Sequence, residues 1–272
     1  KSLLFTSYIK KKTIAVINTD SRFSNFFLKL CRKNSLQILD YGKKANFLKI
    51  KSIKRVDNIF KVKILFGSTD INLNINCCAE FEIYNMLCSL ILVFNKKLKS
   101  KDLQIITELK NPSGRLEKIF DKKNMRVFLD YAHSPDAISK VLSSLKKITS
   151  GKLILVFGCG GDRDKLKRNQ MTKEALKFSD LIIITDDNPR FEDPRKIRDD
   201  MISNLKSEDL KKIKVIGNRK IAIKKAVNFL IKHDVLLIAG KGHENYQLIK
   251  NKKIFFSDKV TAKECLRKKW IF

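Results

Sequence analysis

Along the chain, short apolar runs exchange with amphipathic stretches in a regular order, and the period of each run predicts its element. Near the start, "TIAVINTD" predicts a buried strand and "SRFSNFFLKLCRKN" a helix. The segments "LQILDYG", "NFLKIKSIKRV", "FKVKILFG" and "INLNIN" predict β-structure, since they are rich in β-branched and aromatic residues and are broken by Asp, Gly and Asn. "EFEIYNMLCSLILVFNKKL" predicts an apolar helix, with Phe81, Tyr84, Leu87, Leu90, Ile91 and Phe94 at helical spacing. "SKDLQIITELK" predicts a second, shorter helix, and "NPSG" breaks the pattern before a strand restarts.

From "MRVFLDYAHSPD" the alternation is strict: strand, helix, "KLILVFGCG", helix, "LIIITDD", helix, "KIKVIG", helix, "DVLLIAGKG", two short β-rich pieces and a final helix. Apolar strands separated by helices predict an α/β fold with a parallel sheet covered on both faces. A boundary is expected near Asn111, giving domains 1–111 and 112–272. No internal repeat or low-complexity tract interrupts this order.

Composition narrows the picture. With 272 residues, 43% of them hydrophobic, the chain holds enough apolar surface for one or two cores. The 58 basic and 28 acidic residues give a formal net charge of +30, which raises a polyanion as partner. The lysines are scattered through every segment instead of forming one stripe, so a nucleic-acid-binding module is disfavoured. The six cysteines form no CxxC pair and have no histidine at metal spacing, which excludes a zinc motif and a disulfide framework and points to a reducing cytoplasm. "MLCSLILVF" is about half the length of a membrane-spanning helix, so no membrane association is expected. The helix-like "KSLLF" at the start is expected to continue an earlier element of a longer protein.

In a parallel α/β sheet, ligands bind beyond the carboxyl ends of the strands. Four such places are rich in polar residues and glycine: "DYAHSPD", "GCGGDRDKLKR", "DDNPR" and "GKGHENYQ". The second sits where a dinucleotide fingerprint would lie, but GxGxxG requires glycine where Arg163 stands, which disfavours a nicotinamide-dependent oxidoreductase. Its glycines are explained by tight turns with positive φ. The stretch "TDDNPRFEDP" carries four carboxylates and one arginine, and "EDPRKI" reads as a helix start with proline in its first turn. His133 and His243 fall at strand ends, and His233 reads as a charge at a helix C-terminus. Arg163 and Arg190 at neighbouring strand ends, with Glu244 at a third, could surround a small zwitterion. Guanidinium groups would take its carboxylate and a carboxylate its ammonium.

Taken in order and spacing, "DYAHSPDA", "GCGGDRDKLKR", "TDDNPR", "GKGHENYQ" and "SDKVTAKE" resemble the Mur ligases over nearly the whole chain. The resemblance implies the later part of a central ATPase domain followed by a Rossmann-like C-terminal domain. It implies a monomeric cytoplasmic enzyme that uses ATP and Mg²⁺ to join meso-diaminopimelate to UDP-N-acetylmuramoyl-L-alanyl-D-glutamate in peptidoglycan synthesis. A lysine-adding ligase of the same family is the alternative. By the same resemblance Arg163, Asp187, Asn188, Pro189, Arg190, Gly240 and Glu244 match positions that bind diaminopimelate. Asn85, Arg115, Asp130 and His133 match positions around the nucleotide. The family's sugar-nucleotide domain, phosphate loop and metal-holding residues are not identified in this sequence. The catalytic residues are therefore unassigned, and the chain alone is expected to be inactive.

Overall fold

The computed structural model describes residues 2–7, 13–57, 59–122 and 124–270. Lys1 of the opening "KSLLF" lies outside them, and Ser2–Phe5 form a 3-10 helix. The chain forms two compact units, Lys1–Lys110 and Asn111–Phe272.

In the first unit, β1 (Ile14–Asn18), α1 (Ser24–Lys33), β2 (Gln37–Gly42), β3 (Leu48–Val56), β4 (Ile59–Phe66) and β5 (Thr69–Ile75) precede α2 (Glu80–Phe94). The sheet runs β1-β2-β3-β4-β5; β1, β2 and β3 are parallel, and β3, β4 and β5 form an antiparallel meander. Leu48, Ile50, Ile64, Leu73 and Ile75 alternate along their strands and pack with Ile83, Leu87, Leu90 and Ile91 of α2. The buried stripe of α2 is rotated from the expected one: Ile83 and Met86 replace Phe81 and Tyr84, which are half-buried. Ala79 has no side-chain acceptor to cap this helix, so Glu82 reaches back and accepts the N–H groups of Cys78 and Ala79. After a 3-10 turn at Asn95–Lys97, the expected second helix is also 3-10 (Ser100–Thr107), and it buries Leu103 and Ile106. A spacing of three residues puts both on one edge of a threefold helix.

The second unit opens with β6 (Glu117–Lys122), β7 (Met125–Asp130), α3 (Pro135–Lys146), β8 (Leu153–Phe157), α4 (Leu166–Leu176) and β9 (Leu181–Ile184). It continues through α5 (Pro194–Ile202), α6 (Ser207–Leu210), β10 (Ile213–Val215), α7 (Arg219–Phe229) and β11 (Val235–Ala239). The hairpin β12 (Tyr246–Ile249) and β13 (Lys252–Phe255) and then α8 (Asp258–Trp270) complete it. Strand order is β10-β9-β8-β11-β7-β6. All neighbours are parallel except β6, which pairs antiparallel with β7 because their short connection is a hairpin and leaves no room for a crossover.

Every residue of β8 and β11 is buried, as a strand covered on both faces requires. Val127, Leu129, Ile154, Val156, Ile183, Leu236 and Ile238 pack on one face against Ala222, Ile223, Ala226 and Val227 of α7 and against Ala262 and Leu266 of α8. The alternate residues point to the other face, where α3, α4 and α5 lie side by side. Ser134 caps α3 by accepting the Ala137 N–H, and Asp193 caps α5 by accepting the Arg195 N–H, each with proline in the first turn. His233 does not end a helix: α7 stops at Phe229, and His233 adopts φ 74° in the turn that starts β11.

Arg219 at the start of α7 and Asp258 at the start of α8 are fully buried and joined by two parallel bonds of 2.7 Å. A third bond of 2.9 Å reaches the Ala239 carbonyl, tying both helices to the end of β11. Replacing Arg219 by Met leaves Asp258 charged and unpaired in the interior, and the expected loss is about 3–5 kcal/mol in denaturant unfolding. The double change Arg219→Met with Asp258→Leu should recover most of it.

Candidate functional site

The loops that follow β7, β11, β8 and β9, four neighbouring strands, converge on one cavity of about 320 Å³. Tyr131 and His133 come from the first loop, Gly240 and Glu244 from the second, Gly160 and Arg163 from the third, and Asp187, Asn188 and Arg190 from the fourth.

The glycines here serve contact more than turn geometry. A Cβ on Gly158 would sit 2.2 Å from the Thr185 carbonyl oxygen, and one on Gly161 would sit 1.9 Å from that of Pro189. Neither has positive φ; the left-handed conformations fall on Asp162 and Arg190, both at 52°. The expectation of left-handed glycines is thus corrected: the "GCGG" loop needs glycine because the β9 loop lies against its backbone. Gly240 combines both demands, with φ 107° and a Cβ position 2.6 Å from Asp187 Oδ2.

Arg190 is held at both ends. Its N–H donates to the Leu248 carbonyl and its own carbonyl accepts from Lys250, at 2.9 and 2.7 Å, so β12 fixes its backbone. Its Nη1 donates to the carbonyls of Gly161 (2.8 Å) and Asn188 (3.4 Å). No described residue engages the Nε–Nη2 edge, and that edge presents two parallel N–H groups suited to a carboxylate. Arg163 is exposed, and no partner among the described residues engages its guanidinium.

Two carboxylates oppose these cations. Asp187 is buried at 8% exposure, and no donor among the described residues bonds its carboxylate. Burial raises its pKa above the usual carboxylate value, against the pull of Arg219 and Lys241. Glu244 accepts at Oε2 from Asn188 Nδ2 (2.9 Å) and from the buried Lys241 Nζ (3.0 Å). The Asn188 Oδ1 accepts from Lys241 Nζ and from the Leu248 N–H, at 3.2 and 3.0 Å. Asn188 is therefore committed mainly to the protein, joining the β9 loop to β12. Pro189 contributes its carbonyl to the contact with Gly161 and does not line the cavity.

Behind the arginines, fully buried Arg168 bonds Glu192 through two nitrogens (2.8 and 3.0 Å) and Asp200 (2.8 Å), and reaches the Gly160 carbonyl at 3.4 Å. Arg168 thereby ties α4 and α5 to both arginine-bearing loops.

Toward the nucleotide-assigned positions, Arg115 lies 4.6 Å from the Tyr131 ring, which also contacts the rings of His133 (4.7 Å) and His243 (5.6 Å). His133 Nδ1 is 2.7 Å from the Tyr131 carbonyl, which can only accept, so Nδ1 carries the proton of that bond. Asp130 spends its carboxylate on the backbone N–H groups of Leu116 (2.6 Å) and Ala132 (2.7 Å). Burial raises its pKa despite those bonds. Asn85 is exposed on α2 of the first unit.

This arrangement of domains has known relatives. The profile of the Mur ligase middle domain matches residues 1–93, and that of the Mur ligase glutamate ligase domain matches residues 114–242. UDP-N-acetylmuramoyl-L-alanyl-D-glutamate--2,6-diaminopimelate ligase of Rickettsia montanensis is 37% identical over 98% of this chain and 55% of its own length. The chain belongs to the Mur ligase family. The ligase of the same name from Aquifex aeolicus is 38% identical over 98% of this chain and 53% of its own length. A solved structure of a protein with that name superposes with a TM-score of 0.61 at 31% identity, over 94% of this chain and 53% of that one. Mycobacterium tuberculosis folylpolyglutamate synthase, solved with ADP, shares the fold with a TM-score of 0.70 at 16% identity, over 88% of this chain and 55% of that one. The chain spans about half the length of the curated relatives it matches. The oxidoreductase alternative falls with this membership.

For this Mur ligase chain, Arg163, Asp187, Asn188, Arg190, Gly240, Glu244 and His133 line one cavity, while Asp130 and Arg115 sit beside it in the same unit. Lys167, Lys241 and Arg168 were not singled out from the sequence. Lys241 had a visible signal, a lysine between two glycines at a strand end; Arg168 looked like one more basic residue in a basic helix. Among the described residues, no group of three or more His, Cys, Asp or Glu side chains could hold a metal ion, and no helix is long and apolar enough to cross a membrane.

Its bonds to Arg168 hold Glu192 at a pKa of about 2. An unfolded glutamate titrates near about 4.3. The stabilisation from this pair is therefore complete above that value and is lost as pH falls through about 2. In Glu192→Gln, the stability lost relative to the parent should shrink over that window, as followed by acid unfolding.

Proposed function

We propose that the chain is the amino-acid-binding domain, with part of the ATP-binding domain, of a cytoplasmic ligase that adds meso-diaminopimelate to UDP-N-acetylmuramoyl-L-alanyl-D-glutamate. The observation that carries this reading is the anchored Arg190, which lines a cavity with Asp187 and Glu244 and whose Nε–Nη2 edge no described residue engages. One end of diaminopimelate is a carboxylate and an ammonium on the same carbon. The arginine edge and exposed Arg163 match the first group, and Asp187 with Glu244 Oε1 match the second. The names of the relatives support the same substrate.

ATP, when bound with Mg²⁺, would supply the phosphoryl group that activates the carboxylate of the acceptor dipeptide. In this reading the chain's own part is positioning. The cavity fixes one end of the amino acid so that the other end presents its amine. The platform of Tyr131, Arg115 and His133 suits a nucleotide's ring and ribose.

A lysine-adding ligase is the second reading. Lysine lacks the distal carboxylate and would leave the Arg190 edge unpaired inside the cavity. In the complete protein, discrimination against lysine is expected to reach about 10⁴-fold, as in sites built to bond a polar group the competitor lacks. Arg190→Ala should abolish most ligation and most of that preference. Arg190→Lys should not restore them, since an ammonium cannot make two parallel bonds from an edge. Ligation rates with each amino acid decide the point, and near-normal selectivity in Arg190→Ala would reject the assignment.

A further inference from the structure

We infer that Lys241, which does not line the cavity, is a positioning residue that sets the orientation and charge of the wall receiving the amino acid's ammonium. The inference rests on the reading that this cavity takes diaminopimelate. Lys241 is fully buried, between Gly240 (φ 107°) and Gly242 (φ 55°), whose left-handed backbone turns the chain around it. Its ammonium meets three acceptors: Glu244 Oε2 at 3.0 Å, Asn188 Oδ1 at 3.2 Å, and the Tyr246 carbonyl. An ammonium has three donors, so these partners saturate it and none is left for a ligand.

The three acceptors belong to two different loops and to β12, so a single buried cation fixes their spacing. It fixes a rotamer as well. With Oε2 held by Lys241 and by Asn188 Nδ2, the Glu244 carboxylate, which lines the cavity, keeps an Oε1 that no described residue bonds. Without the cation, Glu244 would keep only the Asn188 bond, and its carboxylate could swing out toward solvent.

Charge is the second consequence. The acids of this wall are Asp187 and Glu244, and Asp258 behind them is closed in its bidentate pair with Arg219. Lys241 compensates Glu244, and among the acids of this wall Asp187 is the one whose carboxylate no described residue bonds. With Lys241 balancing Glu244, the wall offers one ammonium one carboxyl group that no described residue bonds. Removing Lys241 would leave two carboxylates in one cavity, repelling each other and favouring a more highly charged guest.

The test is a double-mutant cycle in the complete protein, reading KM for diaminopimelate, KM for ATP and kcat. Lys241→Met should raise KM for diaminopimelate about 10–100-fold, the range for losing a hydrogen bond to a charged group. KM for ATP should stay within about twofold, because the residue acts on amino-acid binding alone. Glu244→Gln should raise the same KM, and the double variant should be no worse than Glu244→Gln alone, since Lys241 acts through Glu244. If the two effects multiply, or if KM for ATP rises in parallel, Lys241 only supports the fold and the inference is overturned. Should Lys241→Met not fold, Lys241→Gln takes its place in the cycle; it keeps a donor but lacks the charge. A parent protein that does not use diaminopimelate rejects the functional reading instead, whereas a parent that uses it beside an unaffected Lys241→Met rejects this inference alone.

Discussion

The site depends on two loops, after β8 and after β9, pressed together with no side chain between them. Gly158 lies against the Thr185 carbonyl and Gly161 against that of Pro189, and the Gly161 N–H donates to the Asn188 carbonyl at 2.9 Å. This contact makes the Gly161 and Asn188 carbonyls available together to Arg190 Nη1. The same contact places Asp187 where only glycine at 240 leaves it room. A methyl group at either loop glycine would separate the loops and release the arginine from its anchor.

Around this contact, the charged residues fall into two kinds. Arg168, Arg219 and Lys241 are buried and bonded to carboxylates and carbonyls, which offsets the desolvation of their charge, although the Arg168 Nε has no partner among the described residues. Arg163, the outer edge of Arg190 and Asp187 are left incomplete at the cavity. A site that binds a zwitterion needs both kinds: closed pairs that fix the walls, and open groups held in place by those walls.

Much of the fold was legible because its two periods are distinct. Fully apolar runs such as "LILVF" and "VLLIA" could only be strands covered on both faces, and the helices between them force parallel pairing. Errors arose where tertiary packing chose among similar options. Phe81 and Tyr84 have the right spacing, yet Ile83 and Met86 face the sheet. Ser100–Thr107 adopts the threefold helix that buries Leu103 and Ile106 together. Those choices depend on the shape of the opposing surface, which no local pattern contains.

The same division holds at the cavity. Residue types and their position after apolar runs were enough to single out Arg163, Arg190 and Glu244, because charged residues at strand ends stand out against the runs before them; the resemblance to the Mur ligases added Asp187, Asn188 and Gly240. Sequence order alone also placed their loops at one edge of a parallel sheet. What the tertiary structure decided was which atoms are bonded: Nη1 of Arg190 is consumed by backbone carbonyls and Asn188 is spent on the protein, while no described residue bonds the outer edge of Arg190 or the Asp187 carboxylate. Hydrogen-bond saturation depends on partners tens of residues away in the chain, so it becomes visible only once the strands have brought those partners together.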